Sequence, residues 1–211
     1  MADIHTLVRA HRPQPTIDEH HFDQFAPDQD GLGEWAREMF IDEDGPLFNQ
    51  RHMHLAEAAI GWLWTSAENA NRDKLVAGEC RLIGPAQRKW TSGMARFQLA
   101  QWFGYVPDFL ITISADYARV CDDWAFCALI EHELCHAAQD VDVFGMPRFN
   151  KEGQPMFRLV GHDVEQFVDV VARYGAGAAD VEELVRVANK GPSIGEAQMR
   201  LACGTCRRVA A

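Results

Sequence analysis

The chain has 211 residues, 47% hydrophobic and 24% charged, the balance of a globular protein with one substantial core. Its formal net charge of −11 argues against a general surface for nucleic acid or for an anionic membrane. No apolar run is long enough for a membrane helix and the N-terminus lacks a signal-peptide core, so a cytoplasmic location is expected.

Residues 1–30 are rich in Pro, Asp, Gln and His and read as an irregular N-terminal arm, with His20-His21 as a surface pair. A single domain is expected over residues 31–195, followed by a C-terminal tail over 196–211. Glu34 to Phe40 predicts a short helix. Asn49 to Glu68 predicts a longer one, burying Leu55, Ala59, Trp62 and Leu63. His52 and His54, two apart on that helix, would point in different directions and make a poor metal pair. Lys74 to Ile83 predicts a strand closed by Gly84-Pro85, and Ala95 to Trp102 fits either strand or helix.

Phe109-Leu-Ile-Thr-Ile-Ser114 predicts a strand bounded by Pro107-Asp108 and Ala115-Asp116. A helix follows over about 123–139, capped by Asp122 or Asp123, with Trp124, Cys127, Ile130, Leu134 and Ala138 as its buried stripe. Asn150-Lys-Glu-Gly153 between apolar runs reads as a hairpin turn. A helix over about His162 to Arg173 is expected to end at Tyr174-Gly175, and Val181 to Asn189 predicts a last one. The sum is an α+β fold, a small mixed sheet packed against helices.

The pattern His132-Glu133-Leu134-Cys135-His136 carries the chemistry. Residues four apart on a helix share a face, so two imidazoles can reach one Zn²⁺ through bonds of about 2.0–2.1 Å. Glu133, about 100° round the helix from His132, is placed to act as general base without ligating. With 9 His in the chain, chance alone gives about 0.03 such patterns, so the spacing is informative. Cys135 is expected to be a small buried thiol beneath the site. The six cysteines are irregularly spaced, which suits a reducing interior rather than a disulfide framework.

A hydrolytic zinc site needs a third protein ligand and an open position for water. Gly161-His162-Asp163-Val164-Glu165-Gln166-Phe167 offers two candidates, His162 and Glu165, three apart on the predicted helix. On the residues alone both stay open, the loser serving as an orienting group.

His132 to Ala137, followed by Gly161 to Phe167, resembles the zincin metallopeptidases of the SprT-like type, and more closely the metallopeptidases of phages and prophages. The resemblance covers roughly residues 105–175 and implies a zincin-like fold, a Zn²⁺ cofactor and a peptide or protein substrate. For a phage-encoded chain it implies the host cell cytoplasm. SprT-like proteins carry a second element of roughly Gly-His-Gly-x-x-Phe whose histidine is the third zinc ligand, here His162. Asp163 stands where that element has glycine, and Phe167 falls about one residue late. SprT-like proteins often add a zinc ribbon with two CxxC pairs. This chain has only Cys203-Gly-Thr-Cys206, expected to be two reduced thiols on a flexible tail, with recruitment of Cys80 or a partner chain as the alternative.

The expected mechanism holds Zn²⁺ by His132, His136 and His162, with a water as fourth ligand and Glu133 as its base. By resemblance, a peptide would pair with the edge of strand 109–114. Tyr174 and Arg158 are candidates for the oxyanion stabiliser. Two alternatives keep the same ligands: a non-proteolytic zinc-binding module, and a zinc hydrolase acting on a non-peptide amide.

Overall fold

The computed structural model describes residues 8, 12–17, 24–28, 31–71, 74–85, 89–164, 168–177, 181–197 and 202–205. The fold is α+β. Its main sheet runs in the order β1 (Phe25–Pro27), β2 (Ile60–Thr65), β5 (Phe109–Ser114), β4 (Lys74–Leu82), β3 (Ala70–Asn71). A last short strand, β8 (Ala202–Cys203), also pairs with β4. β2 and β5 are parallel, whereas β4 is antiparallel to β5 and β1 antiparallel to β2.

Strand alternation divides the core. Trp62, Trp64, Phe109, Ile111 and Ile113 belong to the larger cluster, which also contains Phe126, Leu129, Ile130 and Leu134 of α4 (Asp123–His136). The intervening Leu63 and Leu110 meet Leu99 of α2 (Trp90–Phe103) on the opposite face. Central strands covered on both faces read as continuous apolar runs. That accounts for one departure from the predicted elements. The expected helix over Asn49 to Glu68 is a 3₁₀ turn over Gln50–Glu57 followed by β2. A doubly buried apolar run has no period by which helix and strand can be told apart. Gly61 has a packing reason to lack a side chain, since a Cβ there would lie 2.9 Å from the Phe103 ring.

Other elements follow the sequence closely. α1 (Leu32–Ala36) continues as a π turn through Ile41. The ambiguous stretch 95–102 lies inside α2. α3 (Ala115–Val120) follows β5 directly, and α4 starts where Asp122 accepts a hydrogen bond from the Ala125 N–H at 2.8 Å. α6 (Glu182–Lys190) lies within a residue of its expected bounds.

Parts of the N-terminal arm enter this core. Val8 and Ile17 are buried, and β1 extends the sheet. The Arg12 guanidinium lies 4.3 Å from the Phe126 ring centroid, pairs with Asp123 at 2.9 Å, and donates to the carbonyls of Ala118 and Cys121. His20-His21 lies outside the described residues.

His52, in the 3₁₀ turn, is 1% exposed, and its Nε2 sits 3.9 Å from Glu131. Burial, with His54 and Arg51 nearby, pushes its pKa down to about 4. His52 is therefore neutral in the folded protein at neutral pH. A folded pKa below the unfolded value of about 6.5 means that stability is full above about pH 6.5 and is lost as pH falls towards about 4. Between about pH 7 and about pH 5 the expected loss from this group is on the order of 2 kcal/mol. Urea unfolding of wild type and His52→Gln at both values checks it: the variant should lose less stability by about that amount. Equal losses would show that His52 titrates normally.

Candidate metal centre

α4 ends at His136 because the next residues turn extended. β6 (Ala137–Gln139) pairs antiparallel with β7 (Phe157–Leu159), the two joined by an excursion that contains the expected turn at Asn150–Gly153. Val160 follows β7 and grips His136 twice. Its N–H donates to the His136 carbonyl at 3.0 Å, and its own carbonyl lies 2.7 Å from His136 Nδ1. With Nδ1–H donating to that carbonyl, the Nε2 lone pair is the donor atom turned towards the cluster. Two residues further on, the chain delivers His162 to the same spot.

His132 Nε2 lies 3.2 Å from His136 Nε2 and 3.2 Å from His162 Nε2. Cys203 Sγ lies 3.3 Å from His136 Nε2. The four donor atoms all fall within 4.8 Å of one another. Bonds of about 2.0–2.1 Å at tetrahedral angles place neighbouring nitrogens about 3.3–3.4 Å apart, so the spacing fits a zinc-sized ion. Three imidazoles and one thiol are also the donor types zinc favours.

Glu133 is fully buried beside this cluster. Its Oε2 lies 3.3 Å from Thr205 Oγ1 and 3.9 Å from Cys203 Sγ, while Oε1 has no hydrogen-bond partner among the described residues. Burial, then the neighbouring Cys203, raises its pKa well above the usual carboxylate range. The carboxylate presses on the backbone of β4, where a Cβ on Gly78 would fall 2.8 Å from Oε1 and 3.0 Å from Leu129 Cδ1.

The structure thus brings together His132, Glu133, His136 and His162, and it adds Cys203, which is expected from the sequence on a flexible tail. The CxxC pair was the available signal. It pointed to a cysteine partner, whereas Cys203 meets histidines; Cys206 lies outside the described residues. Three further expectations change. His162 lies in irregular chain before α5 (Val168–Tyr174) rather than on a helix, and Glu165 lies outside the described residues. Cys135 is exposed rather than buried beneath the site. β5 is hydrogen-bonded on both sides, by β2 and β4, and so has no edge for a peptide. Tyr174 is 70% exposed at the end of α5, and Arg158 is exposed on β7.

A family model described as Putative phage metallopeptidase matches residues 33–189. The chain belongs to this family. The span shared with the phage metallopeptidase family contains α4, the β6–β7 excursion and His162, and it ends before Cys203. No curated protein and no solved structure matches the chain. No described helix is long and apolar enough to cross a membrane.

The contact at Gly78 generates a prediction. Gly78→Ala should destabilise the protein by about 1–3 kcal/mol through overpacking against Glu133 and Leu129. Denaturant midpoints measure this directly, and an unchanged midpoint would mean that helix and strand separate freely.

Proposed function

We propose that the protein is a zinc-dependent metallopeptidase of zincin-like build, with His132, His136 and His162 as metal ligands and Glu133 as general base. The observation that carries this reading is the convergence of three imidazole Nε2 atoms beside a buried carboxylate from the helix that carries two of them. Zinc, when bound, polarises a scissile carbonyl and acidifies the water that attacks it. Glu133 accepts the proton that water loses and returns it to the leaving amine. The Val160 carbonyl fixes the tautomer and ring orientation of His136. A peptide substrate in extended form would pair with the outer edge of β4, the strand against which Glu133 packs.

A second reading rests on one observation. Cys203 gives the cluster a fourth protein donor, and four protein donors are the arrangement of structural zinc sites. In that case the protein is a metal-stabilised interaction module without proteolysis. A zinc hydrolase of a non-peptide amide would need the same ligands and base, and substrate profiling separates it from a peptidase.

Glu133→Gln tests the base. Bound zinc should equal that of wild type, whereas cleavage of unfolded casein should fall at least about a hundredfold. Equal cleavage would remove Glu133 from the mechanism. His162→Ala should strip the metal and Glu165→Ala should largely spare it, as read by metal analysis of the purified variants. The reverse result would make Glu165 the third ligand.

A further inference from the structure

We propose that Cys203 is a fourth metal donor and that residues 202–205 form a latch that closes both the metal and the peptide seat. The inference rests on the peptidase reading above and concerns how that same site is regulated.

Three independent contacts place the segment there. β8 pairs with the outer side of β4 in parallel register, Val76 opposite Ala202 and Gly78 opposite Cys203. The Gly204 N–H continues the pairing by donating to the Gly78 carbonyl at 2.8 Å. Thr205 Oγ1 then accepts from the Cys80 N–H at 2.6 Å and lies 3.0 Å from the Cys80 carbonyl. These backbone groups of β4 are the ones an incoming extended peptide would use, so the chain's own segment stands where substrate should lie.

The same four residues close the chemistry. Cys203 Sγ joins the three imidazole nitrogens at the position that an open catalytic site leaves for water. Thr205, itself fully buried, lies over the Glu133 carboxylate, which has no solvent exposure. A base sealed from water cannot take its proton. One movement, lifting residues 202–205 from β4, would free the coordination position, expose the base and open the strand edge together. The exchange is a ligand substitution, sulfur out and water in, and needs no oxidant or reductant.

The segment is built to leave. Ala202, Cys203, Gly204 and Thr205 include no large apolar side chain, and the pairing with β4 breaks register between Val76 and Gly78. With no large apolar side chain to withdraw from the core, such a segment opens at lower cost than a core strand. An extended peptide competes for the same edge, so substrate itself would displace the latch.

The test uses full-length protein loaded with Co²⁺, in which a thiolate ligand gives a near-ultraviolet charge-transfer band. Wild type should show that band, and Cys203→Ala should bind one Co²⁺ without it. With a latch open about 0.1–10% of the time, zinc-loaded Cys203→Ala should cleave casein about 10–1,000-fold faster than wild type. Gly204→Val keeps the thiol but wedges the segment off, because its Cβ would lie 2.9 Å from Glu79 Cβ and 3.1 Å from Val76 Cγ1. It should likewise speed cleavage and weaken the band. Metal binding without the band in wild type, or equal cleavage by all three proteins, would overturn the latch and leave the peptidase reading standing. The band present in wild type, with no cleavage by any of the three, would overturn both and leave a four-donor structural site.

Discussion

The double grip of Val160 on His136 is the contact on which the site depends. The Val160 amide satisfies the last carbonyl of α4, and the Val160 carbonyl orients the imidazole that closes the HExxH pattern. One residue thereby ends a helix, holds a ring and returns the chain so that His162 arrives two positions later. Without that return, His132 and His136 would be two donors on an amphipathic surface. The excursion from Ala137 to Leu159 is therefore the device that turns a helical motif into a convergent cluster.

A second constraint acts from the opposite side. α4 approaches β4 so closely that a Cβ at position 78 would crowd Glu133 and Leu129, and this brings Glu133 against the strand on which the C-terminal segment docks. Helix, strand and tail thus meet at one carboxylate. Its burial is unusual for a charged residue and follows from being covered on every side by backbone, thiol and hydroxyl.

What could be read from the sequence follows the range of the interactions. The helical spacing of HExxH is local, so His132, Glu133 and His136 were legible, as was the strand Phe109–Ser114 with its flanking turn residues. His162 was legible by resemblance, although the expected helix was the wrong vehicle for it. β2 was misread because both its faces are buried, which erases the alternation that marks a strand. Cys203 lies 67 residues from His136, and the pairing of β8 with β4 brings them together. Pairing between distant strands leaves no periodic trace in either segment. That β5 is no edge strand was hidden for the same reason, since strand order is a property of the assembled sheet.

The short strand β8 has a further consequence, for the protein's colloidal behaviour. An unpaired sheet edge is a template for any other extended chain, including a second copy of the same molecule. By covering the outer side of β4 with four small residues of its own, the chain keeps that edge from strangers. Any condition that holds the tail away from the sheet should therefore leave a molecule more prone to associate, edge to edge, with its neighbours.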